Sequence, residues 1–162
     1  MADLSVDLST AGIRVGFAIE TTAGTMPSAF TNIPKPKEIP DISPEPNGLD
    51  TSHLNIPAGG YKTYTPGLRD MGSSLAITFG MSEVFAEAWN QMCDDAETAL
   101  ADGKKTWFTF YHPGRTKALF ITGTPAKVYF PGASVDEAWD STAYITPTGE
   151  PTLAAAINPT DP

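Results

Sequence analysis

The 14 glycines and 15 prolines of this 162-residue chain are spread along its whole length. Proline lacks the backbone donor a helix needs, and glycine raises the entropy cost of fixing one, so a helical bundle does not tolerate that load. The expected fold is mainly β, a sandwich or partly open barrel with one flanking helix and long ordered loops. The length suits one domain with a real core. Residues 1–162 are read as that domain, with an N-terminal arm (1–12), a long loop (55–72) and a C-terminal tail (152–162).

Strands are expected where apolar residues alternate. Ile13, Val15, Phe17 and Ile19 do so over 13–19, and Leu75, Ile77 and Phe79 over 73–79. Further strands are expected at 106–111, 118–122, 126–130 and 138–145, the first two joined by a turn at His112-Pro113-Gly114-Arg115. Five prolines between Ile33 and Pro46 exclude a central strand there and leave an edge strand or an extended segment. That segment leads into pairing at about 48–54. Residues 55–72 carry two prolines, four glycines and two tyrosines, an uncommonly long loop for a compact domain.

Residues 82–102 are expected to form the helix, with Ser82 as its N-cap and Gly103 ending it. Val84, Phe85, Ala88, Trp89, Met92, Ala96, Ala99 and Leu100 recur at three and four residues and define one apolar stripe. Glu83, Glu87, Asp94, Asp95, Glu97 and Asp102 give the helix an acidic back.

With 10 basic against 19 acidic residues, the net charge is −9, a poor balance for gripping nucleic acid. No apolar run is long enough for a membrane helix. Met1-Ala2-Asp3 has no basic n-region, so no secretory leader is expected. The single cysteine, Cys93, excludes an intrachain disulfide and a cysteine-based zinc site. Its mid-helix place beside the stripe suits a buried, inert thiol. His53 and His112 stand about sixty residues apart, and His112 sits in a turn. Asp94 and Asp95 diverge by about 100° on a helix and suit a solvated face better than a metal site. Ala58-Gly59-Gly60 is followed by no Gly-Lys-Ser/Thr and is no phosphate loop. No catalytic, cofactor or metal set is expected, and so no enzyme. Trp89, Trp107 and Trp139 are read as core or subunit-contact residues.

The order of these segments resembles the major tail tube proteins of long-tailed bacteriophages. An N-terminal strand passes through Ile33-Pro34-Lys35-Pro36-Lys37-Glu38-Ile39 into Leu49-Asp50-Thr51-Ser52. The long loop, strand 73–79 and a single helix follow. The chain closes in Tyr144-Ile145-Thr146-Pro147-Thr148-Gly149-Glu150-Pro151, the most family-like phrase. The likeness covers about residues 13–151.

The resemblance, which extends to the tubes of contractile tails and type VI secretion, implies hexameric rings stacked into a hollow tube in the virion tail. Subunits made in the host cytoplasm would meet a tape measure, a tail tip and a tail terminator. Viral DNA would pass through the lumen without tight binding. Six copies at −9 each amount to −54 per ring, and an acidic bore offers DNA no sticking site. Glu38, Asp41, Glu45 and Asp50 are the expected lumen acids. Within 55–72, Ile56, Tyr61, Lys62, Tyr64, Leu68, Arg69 and Met71 are the expected inter-ring contacts. Its glycines make this loop costly to order in an isolated chain, so it is expected to order when the next ring docks. The alternatives are a ring-forming head–tail connector or tail terminator, and a carbohydrate-binding β-sandwich stacking sugars on Trp107, Trp139 and Tyr144.

Overall fold

The computed structural model describes residues 7–162. Ten strands and one helix follow in order: β1 Arg14–Ile19, β2 Thr31–Ile33, β3 Pro36–Glu38, β4 Glu45–Asp50, β5 Tyr64–Asp70, β6 Leu75–Gly80, α1 Glu83–Ala101, β7 Thr106–Tyr111, β8 Lys117–Pro125, β9 Asp140–Pro147 and β10 Thr152–Ala155. Eight strands form one curled sheet in the order β2-β1-β7-β8-β9-β6-β3, with β10 added beside β8. The pairings are antiparallel throughout, so the mainly β fold with one helix is the one expected.

The helix begins and ends as its sequence dictates. The Ser82 hydroxyl accepts from the Phe85 amide at 3.2 Å. At the other end Gly103 takes φ 73°, where its amide donates to Leu100 O and the Lys104 amide donates to Ala99 O, each at 3.0 Å. That paired closure satisfies two otherwise orphaned carbonyls, and glycine adopts the required left-handed backbone at little cost. The buried stripe is narrower than expected. Phe85, Trp89, Met92, Cys93 and Ala96 are buried, while Val84 and Leu100 at its margins are exposed.

Phe85, Trp89 and Met92 pack on Phe79, Ile77, Phe108, Ile121 and Ile145 inside the curl. The Trp89 ring lies 5.7 Å from Phe79 and 6.3 Å from Phe108, centroid to centroid. The other face of the sheet is covered as well. Phe30, Ala118 and Phe120 form a second cluster there, with Trp107 and Ile157 against it. Both faces of β7 and β8 are thus buried, which is why TWFTFY and ALFIT read as almost continuously apolar.

Three expectations need correction. Residues 126–130 are no strand. The Asn90 side chain donates to Val128 O and accepts from Val128 N, both at 3.0 Å, and Trp89 Nε1 donates to Ala126 O at 2.7 Å. Helix side chains thereby satisfy much of the backbone that a neighbouring strand would have satisfied.

Residues 152–162 are no loose tail. β10 pairs with the first half of β8, and β9 pairs with its last three residues. Thr148-Gly149-Glu150-Pro151 is the irregular joint between two strands that flank the same edge. Beyond β10, Pro159 is fully buried, Arg14 donates to its carbonyl at 2.9 Å, and Thr160 forms a parallel bridge to Thr31. The C-terminal segment therefore seals the β2 edge.

Residues 55–72 are not all loop, because β5 occupies 64–70 and pairs with β4. The expected arm (1–12) lies partly outside the described residues, and residues 7–12 are exposed.

Gly123 marks the corner where β8 leaves β10 and joins β9. A Cβ there would stand 2.4 Å from Ile145 Cγ2 and 3.1 Å from Thr146 O. Gly123→Ala should therefore push a core isoleucine and a neighbouring strand aside, costing about 1–3 kcal/mol. A denaturant titration unchanged in midpoint would disprove the close approach.

Candidate assembly surfaces

Two elements leave the body of the fold. The first is the β4–β5 ribbon, whose strands pair with each other and join no other described strand. The pairs Asp50↔Tyr64, Leu49↔Thr65 and Gly48↔Pro66 run to a register shift, after which Pro46 faces Arg69 and Glu45 faces Asp70. A ribbon with both edges free accommodates Pro46 and Pro66, which the interior of a wide sheet would reject. Its end is tied by Thr51 N to Thr63 O at 2.9 Å and by Thr63 N to the Ser52 hydroxyl at 3.2 Å. The Ser52 hydroxyl and amide hold the Asp50 carboxyl below the usual carboxylate range.

This ribbon carries most of the expected inter-ring residues. Tyr61, Tyr64 and Leu68 are exposed, joined by Leu49 and by Leu54, which has no cover at all. Lys62 and Arg69 are exposed beside them, and Ile56 is half-buried within the tip. Met71 differs, since it packs on the main core and anchors the ribbon's base. An isolated two-stranded hairpin is marginal in water, and this one leaves several large apolar side chains exposed.

The four expected lumen acids are all exposed. They are spread over different elements: Glu38 ends β3, Asp41 lies in the connection, and Glu45 and Asp50 stand at opposite ends of β4. At about 3.3 Å per residue the last two are roughly 17 Å apart.

The second protruding element is a loop over residues 130–139, where the sequence predicts the end of one strand, a connection and the start of another. Phe130 and Trp139 meet edge to face at 5.2 Å, and Trp139 Nε1 donates to Pro131 O at 3.2 Å. Its ends are thus close and it packs on itself. Asp136 sits at its tip with φ 58°, and Val135 and Phe130 point outward. Apolar spacing gave no signal for this loop, but Phe130, Val135 and Trp139 among Pro, Gly and Ser were a compositional hint.

Along the C-terminal half of α1 runs a groove of about 600 Å³, lined by Leu100, Tyr129, Pro125 and three lysines, Lys104, Lys105 and Lys127. Lys127 pairs with Asp94 at 2.6 Å. Lys105 is held by Glu20, a buried acid whose Oε1 accepts from the Lys105 amide at 2.6 Å while its own amide donates to Lys105 O at 3.0 Å.

The two histidines stand apart in different elements. Gly114 N donates to His112 Nδ1 at 2.9 Å, which leaves the proton on Nε2, 2.5 Å from Ser9 O. His112 thus ties the start of the chain to the β7–β8 turn. His53 lies exposed at the ribbon tip. Among the described residues, no three His, Cys, Asp or Glu side chains gather as a metal site would need. Trp107 packs in the second cluster, Trp139 belongs to the 130–139 loop, and Tyr144 is half-exposed on β9, so the three form no common stacking face.

Burial pushes the Cys93 thiol up to about 11, with nearby Asp94 adding to the rise and Lys127 opposing it. The folded chain keeps that proton to higher pH than the unfolded one, so stability should fall as pH rises from about 9 toward 11. Cys93→Ser should flatten that decline in thermal melts. An unchanged profile would place the titration elsewhere.

The fold is thus a curled β-sheet over one helix, with an apolar ribbon and a self-packed loop leaving it. No family model matches the sequence, and no curated protein matches it. Solved structures do match in shape. One is a chain of the anti-feeding prophage (AFP) baseplate, solved by cryo-EM with 6-fold symmetry. It superposes with a TM-score of 0.61 over 94% of this chain and 98% of that one, at 9% identity. The likeness is therefore one of fold along the whole length.

Proposed function

We propose that this chain is a structural subunit of a phage-like tail, and specifically the tube protein that stacks as hexameric rings around a DNA-conducting lumen. The observation that carries the reading is the β4–β5 ribbon, a projection with many exposed apolar side chains that pairs with no other strand among the described residues. The near-complete fold likeness to a chain of a six-fold prophage baseplate supports it, as does the net charge of −9. In this reading the ribbon reaches the adjacent ring, Lys62 and Arg69 meet its acids, and Glu38, Asp41, Glu45 and Asp50 contribute to an acidic bore. The subunit resides in the virion tail and meets tape-measure, tip and terminator proteins at the tube's length and ends.

Negative-stain microscopy of the purified chain tests this. Hollow filaments with a ring repeat are expected. Isolated rings at all concentrations would instead make it a terminator or connector, and a monomer throughout would end the tube reading.

A further inference from the structure

Tube assembly by the reading above needs a contact within each ring as well as between rings. Two edges of the large sheet are poor candidates for it. The β2 edge is occupied by Thr160, whose carbonyl accepts from Asn32 N at 2.8 Å. The opposite edge, β3, is three residues long and carries Pro36 and Lys37, which blunt strand addition. Side-chain surfaces offer another way to join neighbours.

Two surfaces on this chain complement one another. The 130–139 loop holds two acids, Asp136 and Glu137, and no base. Beside them Phe130 and Val135 are exposed. The groove at the far end of α1 is lined by Leu100 and Tyr129, both exposed, by Lys104 and Lys105, and by one acid, Glu97. Among the described residues, none of these two acids and two lysines forms an ion pair. Both surfaces are also preformed. The loop is self-packed through Phe130 and Trp139, and the lysines follow directly from the helix closure at Gly103 and the Glu20 clasp. Such preorganisation removes ordering cost from association.

The loop and the groove are different surfaces. The loop begins at Phe130, directly after Tyr129 of the groove, and ends beside the helix start, where Met81 N donates to Trp139 O, whereas Lys104 follows the helix end. A knob and a socket on different surfaces form a heterologous contact, and repeating such a contact closes a ring or grows a filament.

We infer that the 130–139 loop of one copy seats in the lysine-rimmed groove of the next, with Asp136 and Glu137 on Lys104 and Lys105 and Val135 or Phe130 on Leu100. The partner is a second copy of this chain, and the contact rests on the self-assembly reading given above.

Charge reversal on each side tests it. One variant combines Asp136→Asn with Glu137→Lys, since asparagine keeps the left-handed backbone. The other combines Lys104→Glu with Lys105→Gln, sparing the buried Glu20 a second acid beside it. Sedimentation of each alone should show association weakened about a hundredfold or more, because like charges would face each other. Mixing the two should restore assembly, as every interface of an assembly in which the two variants alternate pairs opposite charges. Thermal melts near wild type show that both variants are folded.

Variants that each assemble like wild type would overturn the loop–groove contact and leave the tube reading standing. Folded monomers that fail to assemble when mixed would also overturn it. A wild-type chain that never associates would overturn contact and tube together. An unfolded variant is replaced by the single change Glu137→Lys or Lys104→Glu, read the same way.

Discussion

Trp89→Ala should destabilise the fold by about 3–5 kcal/mol, the range for deleting a buried aromatic. Trp89 is 1% exposed at the middle of α1. Its ring touches Phe79, Phe85 and Phe108, so its loss opens a cavity where helix and both arms of the curled sheet meet. It also strips Ala126 O of its indole donor and loosens the segment that leads into the 130–139 loop. For a chain of this size each kcal/mol moves the melting temperature by about 2–4 °C, so a fall on the order of 10 °C is expected by circular dichroism. Trp89→Phe separates the two contributions, because it keeps an aromatic ring and loses only the hydrogen bond and some volume. A Trp89→Ala melt within a few degrees of wild type would mean that the helix does not hold the sheet together.

Removing the apolar side chains of the ribbon should do the reverse, sparing the fold and abolishing the tube. Leu54, Tyr61 and Leu68 are 104%, 91% and 88% exposed, so in the isolated chain they bury almost nothing. Leu54→Ser, Tyr61→Ser and Leu68→Ser together should shift the melt by no more than about 2 °C, as surface changes do. If the ribbon docks on an adjacent ring, those three side chains supply much of the apolar area of that contact, and each change recurs in every subunit. Filaments should vanish from micrographs while rings persist. Filaments of normal length from the triple variant would remove the ribbon from the stacking interface. Persistence of rings also separates this outcome from loss of the loop–groove contact, which should leave monomers.

The sequence alone determined the elements whose signal is local. Helix α1 was legible because its cap, its apolar spacing and its terminal glycine act within a few residues of each other. Strands β1 and β6 were legible because alternating side chains report a sheet face directly, and the acidic balance needs no structure to count. The placement of breakers also set the fold class, since 14 glycines and 15 prolines spread along this chain leave few uninterrupted stretches long enough for a helix.

Only the tertiary structure decided what depended on distant partners. β5 contains Pro66 and Gly67 and reads as loop, yet it forms a strand because β4 runs beside it and a two-stranded ribbon leaves both outer edges free. Residues 126–130 alternate like a strand, yet the Asn90 and Trp89 side chains take backbone groups that strand neighbours would have used. The segment after Pro151 has no apolar period because it does not cross a sheet face at regular spacing. It pairs with β8 and then drops Pro159 onto Gly16, where a Cβ would come within 2.8 Å of the proline ring. The loop and groove were invisible for the same reason: Asp136 and Lys104 belong to different elements, and only the fold sets each beside its apolar neighbours on a surface.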